Sequence, residues 1–98
     1  MKPFVLTRKA KSDLKDIARF TVSRWGVAQR NLYLKQFDET FHLLSERPSL
    51  GKSCDEIRAG YRKFPQGSHI IFFKPEDNSR IQIIRILHKS MDVDISLK

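Results

Sequence analysis

Two segments of helical periodicity, joined at one glycine, constrain the fold of this chain most strongly. The first runs from Arg8 to Arg24, and residues at helical spacing form one of its faces: Leu14, Ile17, Ala18, Thr21 and Trp25. The second runs from about Val27 to Glu46 and repeats Leu34, Phe37, Phe41 and Leu44. Gly26 lies between them and suits the left-handed backbone that often ends a helix. The pattern predicts an antiparallel helical hairpin. Thr7 should cap the start of the first helix, and Pro48 should end the second. Trp25 should lie in the core.

The second half of the chain changes to β-rich segments. Short turns, "PQG" and "PEDNS", separate three predicted strands: Gly60–Phe64, Ser68–Lys74 and Arg80–His88. We expect these strands to pair as an antiparallel meander. An apolar run at Pro3–Thr7 predicts a further strand before the first helix, and residues 48–59 show no regular pattern.

These elements predict an α+β fold in the order β-α-α-β-β-β, forming one domain over residues 1–98. The helical hairpin should pack on one face of a small, mainly antiparallel sheet and leave the opposite face partly open. The last strand is apolar on both faces, which indicates a central position in the sheet.

Strict alternation along the last strand places Ile81, Ile83, Arg85 and Leu87 on one face, and Gln82, Ile84, Ile86 and His88 on the other. Arg85 and His88 should therefore point apart, which disfavours an acid–base pair acting on one substrate. On the preceding strand His69 shares a face with Ile71 and Phe73. Arg85 should either pair with an acidic residue, such as Asp55 or Asp92, or contribute to a binding surface.

Composition narrows the class of protein. Nineteen Lys and Arg residues against 11 acidic residues give a net charge of +8, which attracts polyanions. The single cysteine excludes an internal disulfide, and no Cys/His cluster has metal-ligand spacing. The chain shows no secretory leader and no apolar run of membrane-spanning length, so we expect a cytoplasmic protein without a membrane, metal or cofactor.

Motifs for phosphate loops, metalloproteases and nucleophile elbows are absent. Metal-free RNA cleavage needs only a base, an acid and cations, and residues of these types occur in the strands: Tyr61, Arg62, His69, Arg85 and His88. Structural roles compete at each position. His69 suits a hydrogen-bonded histidine inside a strand, and Tyr61 and Arg62 suit a strand surface.

Several segments, in order, resemble the ParE toxins of the RelE/ParE toxin–antitoxin superfamily. They cover nearly the whole chain: "LTRKAKSDLKDIARF", "RWGVAQRNLYL", "RPSLGK", "CDEIRAGYRKF", "GSHIIFF" and "IIRILHKSMD". The family fold has the same β-α-α-β-β-β order that the periodicity predicts.

The resemblance implies a toxin that inhibits DNA gyrase by binding, without catalysis and without a small-molecule substrate. Its partners would be gyrase and a ParD-like antitoxin, with operator DNA bound only through the toxin–antitoxin complex. Growth inhibition and plasmid stabilisation are the cellular roles that it implies. Candidate residues for antitoxin or target binding are Arg58, Tyr61, Arg62 and Arg85.

The RelE branch of the same superfamily supplies the alternative, a ribosome-dependent mRNA endonuclease. Its candidate residues here are His69, Arg85 and His88. Lys89–Lys98 contains no Tyr, His or Glu that could serve as the C-terminal acid or base of those nucleases. The sequence therefore favours the gyrase-directed toxin.

Overall fold

The fold consists of a helical hairpin on a five-stranded mixed sheet. A computed structural model describes residues 3–76, 80–91 and 97. In chain order its elements are β1 Phe4–Leu6, α1 Arg8–Trp25, α2 Val27–Glu46, a 3-10 helix at Pro48–Leu50, β2 Lys52–Ser53, β3 Arg62–Gln66, β4 His69–Glu76 and β5 Arg80–His88. The predicted α+β class and hairpin-on-sheet arrangement are confirmed.

The sheet has the strand order β1-β5-β4-β3-β2. Strands β3, β4 and β5 form the predicted antiparallel meander, and β5 is central as predicted. Strand β1 pairs in parallel with β5, with Phe4 opposite Ile81. Strand β2 has only two residues, too few for a sequence pattern, and lies in the segment predicted as irregular.

Local capping fixes both helices as the sequence indicates. The Thr7 hydroxyl accepts the Ala10 amide at 3.0 Å, as an N-cap side chain does. Gly26 joins the helices at φ 90° and ψ 174°, a conformation essentially reserved for glycine. Helix α2 ends at Glu46, before Pro48.

The main core lies between the hairpin and the sheet. It joins Ile17 of α1 and Phe37, Phe41 and Leu44 of α2 to the sheet residues Phe4, Ile71, Phe73, Ile81, Ile83 and Ile86. The predicted faces of both helices are therefore buried or half-buried, except at Trp25. That side chain is 66% exposed, so its predicted place in the core is wrong. Trp25 is the last residue of α1, where the helix has passed beyond the sheet-covered face.

The opposite face of the sheet is less open than predicted. Phe72 and Leu87 are buried there in a second apolar cluster with Cys54 and Leu97. Ile57 and Tyr61, from the segment after β2, pack against this cluster. Burial raises the pKa of the Cys54 thiol, with a smaller contribution from Glu56, so this cysteine behaves as a small apolar side chain.

A β-bulge in β5 overturns the predicted alternation. Phe72 pairs with Arg85 and Phe73 pairs with Ile83, which leaves Ile84 without a direct partner on β4. The extra residue shifts the facing of the side chains that follow. Ile86 consequently joins Ile81 and Ile83 in the main core, whereas Leu87 lies in the second cluster. The predicted grouping of Leu87 with Ile81 and Ile83 is wrong, but the predicted common face of His69, Ile71 and Phe73 is confirmed.

Candidate binding groove

A groove opens where the helix hairpin meets the start of β4 and the end of β5. Its cavity volume is about 490 Å³. The floor contains Ile17, Thr21 and Ile86, all buried. Three exposed apolar side chains stand on its walls: Phe20 at 59% exposure, Trp25 at 66% and Met91 at 51%. Exposed apolar groups gathered around one concavity indicate a site for a macromolecular partner.

Asp13 forms the charged wall of the groove by binding β5. Its carboxylate accepts Arg85 Nε at 2.8 Å and Arg85 Nη2 at 3.0 Å, and one of its oxygens also accepts the Ile86 amide at 2.9 Å. The hydrogen bond to Asp13 raises the pKa of Arg85 despite partial burial. Asp13 therefore accepts a backbone amide of β5 beyond the point where β1 ends. Its hydrogen bonds link α1 to the sheet.

This arrangement corrects the predicted partner of Arg85. An acidic partner is confirmed, but among the described residues it is Asp13, and the carboxylate of Asp55 instead accepts the Gly60 amide at 2.8 Å. The other suggested partner, Asp92, lies outside the described residues. Because two of its nitrogens bind Asp13, Arg85 supports the groove wall and is poorly placed to bind an anion there.

Tyr33, His69 and His88 lie in series on the groove wall, joined by a hydrogen bond and a ring contact. The Tyr33 hydroxyl donates to the Gln66 carbonyl at 3.1 Å, and its oxygen lies 2.8 Å from His69 Nδ1. Neutral His69 completes this series when its proton is on Nδ1. The His69 and His88 rings meet edge to face, 5.4 Å apart between centroids, as cross-strand partners. The predicted strand-pair role of His69 is confirmed.

Burial favours the neutral form of His69. Burial lowers its pKa, the nearby His88 lowers it further, and Asp13 opposes them. His88 Nδ1 accepts the Ser90 amide at 3.2 Å and lies 2.7 Å from the Ser90 hydroxyl, which closes the end of β5. Burial likewise raises the pKa of Tyr33, so its phenol stays protonated.

The groove is therefore built for binding more than for phosphate chemistry. Its two histidines, His69 and His88, face one cavity, and Arg85 is not one of the residues that line it. The anionic groups of the cavity are Asp13 and Asp16, which oppose a phosphate. Its apolar walls suit a protein segment with apolar side chains.

The other predicted binding residues lie away from this groove. Tyr61 and Arg62 line a second cavity of about 320 Å³ with Ser53, Asp55, Gly60 and Pro75. Arg62 Nη1 donates to the Gly51 carbonyl at 2.7 Å, so its head is partly occupied within the fold. Arg58 is exposed on the segment after β2. The structure brings Tyr61 and Arg62 together but separates them from Arg85.

The sequence analysis missed the residues that shape the groove. Phe20 lies off the buried face of α1, and the signal present in the sequence was its i,i+4 spacing to Arg24, whose guanidinium lies 5.6 Å from the centroid of the Phe20 ring. Met91 follows the last strand without a periodic signal. Asp13 is separated from its partner by 72 positions, a distance at which one sequence gives no indication of contact.

Within residues 3–76, 80–91 and 97, no group of three or more His, Cys, Asp or Glu side chains is placed to hold a metal ion. No helix in the same residues is long and apolar enough to cross a membrane.

Comparison with known proteins gives one consistent family. The family model described as "ParE toxin of type II toxin-antitoxin system, parDE" matches residues 4–93. The toxin ParE1 of Caulobacter vibrioides is 41% identical over 92 residues, covering 94% of each chain. The toxin ParE1 of Mycobacterium tuberculosis is 38% identical over 94 residues, covering 96% of each.

A solved structure supports the same fold. The chain of a structure described as the chromosomal ParDE toxin–antitoxin system from Pseudomonas aeruginosa superposes with a TM-score of 0.73. It is 23% identical, and the match covers 90% of this chain and 96% of the other. Family model, relatives and fold agree with the resemblance carried by the sequence segments. The chain therefore belongs to the family of ParE toxins of type II toxin–antitoxin systems.

Proposed function

We propose that this toxin inhibits DNA gyrase by binding, without catalysing a reaction, and that a ParD-like antitoxin neutralises it. The observation that carries the proposal is the groove, where Phe20, Trp25 and Met91 surround a cavity whose charged wall is occupied by the Asp13–Arg85 pair. Such a surface is fitted to hold a folded or folding polypeptide. Family membership supports the choice of partners, and gyrase places the site of action in the cytoplasm.

The antitoxin would engage the groove with apolar side chains. A helix or extended tail that folds on binding can insert an apolar anchor between Phe20 and Trp25, which removes exposed apolar surface from water. Arg58, Tyr61 and Arg62 remain candidates for a second contact, where basic side chains would pair with acidic residues of the antitoxin or of the target. Operator DNA would be bound by the complex through the antitoxin.

Gyrase inhibition is tested directly with purified components. Relaxed plasmid, gyrase and ATP are incubated with increasing toxin, and supercoiled product is measured on a gel. We expect supercoiling to fall with toxin and to return when purified antitoxin is added. Full supercoiling at a large molar excess of folded toxin would overturn the proposal.

One observation favours the nuclease alternative: His69 and His88 face the same cavity. Two histidines at one cavity could exchange a proton with a substrate. Against this reading, the nearby carboxylates disfavour RNA phosphate, and Arg85 binds Asp13. Primer extension on mRNA isolated after toxin induction separates the alternatives, because ribosome-dependent cuts would support the nuclease and intact messages would exclude it.

A further inference from the structure

We propose that the outer face of α1 binds the phosphate backbone of duplex DNA. Four cationic residues follow one another there at helical spacing: Arg8, Lys11, Lys15 and Arg19. Separations of three, four and four residues place them on one stripe, opposite the buried residues Ala10, Ile17 and Thr21. All four are exposed. We call this set the α1 stripe.

The charges of the α1 stripe are not satisfied within the fold. Arg8, Lys11 and Lys15 form no ion pair with any residue that the structure describes. Arg19 approaches Asp16 at 3.7 Å, but both side chains are at least 70% exposed. An ion pair that is this exposed contributes little to stability, so the cations of the α1 stripe are available to bind an external anion.

The position of the α1 stripe makes its charges electrostatically unfavourable in the free protein. Arg8 and Lys11 lie at the beginning of α1, and the first turn of this helix contains no acidic residue. Cations at this end oppose the partial positive charge of the helix dipole. Like charges four residues apart, as in Lys11 with Lys15 and Lys15 with Arg19, also repel. An arrangement that is unfavourable in the free protein becomes favourable against an anionic surface.

Geometry and composition favour DNA over an acidic protein. From Arg8 to Arg19 the helix rises about 16 Å, a length that spans about five phosphates of one strand at 3.4 Å each. The other exposed residues between Arg8 and Arg19 are Lys9, Ser12 and Asp16, none of them apolar, so the stripe offers no apolar anchor of the kind found at protein–protein interface cores. Protein–DNA interfaces, by contrast, are polar and strongly positive.

This contact goes beyond gyrase inhibition and antitoxin binding. Operator DNA bound through the antitoxin would not require a basic surface on the toxin. A toxin that itself holds phosphates could touch DNA beside the antitoxin in the complex, or touch the DNA on which gyrase acts.

The experiment compares two variants of equal charge. One carries Arg8→Gln, Lys11→Gln, Lys15→Gln and Arg19→Gln, and the control carries Lys35→Gln, Lys52→Gln, Lys74→Gln and Lys89→Gln, four exposed lysines elsewhere. Fluorescence anisotropy of a labelled duplex without an operator is measured against full-length toxin between about 50 and 200 mM salt. Circular dichroism verifies that both variants are folded.

We expect the parent toxin to bind the duplex with an affinity that falls steeply with salt. Loss of four phosphate contacts should make the slope of log K against log salt shallower by about 3 to 4 in the α1 variant, and by less than about 1 in the control. Equal losses in both variants would overturn the inference, because overall charge would explain the binding. The inference would also be overturned if the parent toxin did not bind the duplex. It would be overturned likewise if the α1 stripe were needed to bind poly-L-glutamate but not to bind the duplex. Gyrase inhibition by a toxin that does not bind DNA would leave the proposed function standing.

Discussion

Asp13 is the residue that most closely links the helical hairpin to the sheet. Its carboxylate accepts two guanidinium hydrogen bonds from Arg85 and the backbone amide of Ile86, with 13% of the Asp13 side chain exposed. The amide bond matters because β1 ends at Leu6 and pairs only as far as Ile83, so the carboxylate satisfies β5 where no strand continues.

Replacing Asp13 should therefore destabilise the toxin strongly. Asp13→Asn removes the charge that holds Arg85 and weakens three hydrogen bonds, and we expect a loss of about 2 to 3 kcal/mol in the free energy of unfolding. Urea denaturation followed by circular dichroism measures it. Asp16→Asn, three residues along the same helix and exposed, is the matched control and should change stability by at most about 0.5 kcal/mol. Equal effects of the two substitutions would contradict this role.

His69 gives a prediction for pH. Burial and His88 lower its pKa below the ordinary value of 6.5, so the unfolded chain binds a proton more readily than the folded one. Stability contributed by neutral His69 is present above pH 6.5 and is lost as the pH falls through the folded-state pKa. His69→Gln should reduce the difference in urea midpoint between about pH 7.5 and pH 5.5. An unchanged difference in His69→Gln would refute the prediction.

Sequence reasoning succeeded for residues whose environment is local. Thr7 and Gly26 act through their own turns, and both were predicted correctly. It failed for Trp25 and did not name Asp13 as a partner of Arg85, because the exposure of a helix terminus and a contact across 72 positions depend on how the hairpin lies on the sheet.

At the scale of elements, the link between α1 and α2 depends on one backbone conformation. An added Cβ at Gly26 would meet no atom within 4 Å, so only backbone strain opposes substitution. Gly26→Ala should cost about 1 to 3 kcal/mol. The control Ser23→Ala, exposed inside α1, should be neutral or slightly stabilising because alanine favours helices. Urea denaturation of both variants tests this, and an unchanged Gly26→Ala protein would contradict it.

Element boundaries show where periodicity is sufficient. The bounds of β5, Arg80–His88, agree with the prediction because the isoleucines from Ile81 to Ile86 give this segment a strong β-branched composition. The bulge within the same strand was not predictable, since its pairing with Phe72 and Phe73 depends on the neighbouring strand. One inserted residue then turned Leu87 to the other face of the sheet.

At the scale of the whole molecule, the groove predicts where the antitoxin acts. Phe20→Ser with Trp25→Ser should weaken antitoxin binding at least about tenfold, because apolar area is lost from the contact. Their exposure means that folding should be little affected. The matched control replaces Leu32 and Leu43, two apolar residues of α2 that are also exposed but do not line the groove. Isothermal titration calorimetry measures the affinity for antitoxin. Equal losses of affinity in both variants would show that the groove is not the antitoxin site.

The overall architecture was predictable because helical and strand periods divide the chain at Pro48. The site was not, because the groove exists only where the hairpin meets the start of β4 and the end of β5. Its members come from three separate parts of the sequence, and Phe20, Trp25 and Met91 become a single surface only after folding.

The central claim is that this toxin acts on gyrase by binding and not by acid–base chemistry. The most direct test is the gyrase supercoiling assay with the parent toxin and a His69→Gln, His88→Gln variant, with mRNA integrity followed in parallel. The account predicts that both proteins inhibit supercoiling, that antitoxin reverses the inhibition, and that messages stay intact. Absence of gyrase inhibition by the parent, with mRNA cleavage that the double variant abolishes, would contradict it.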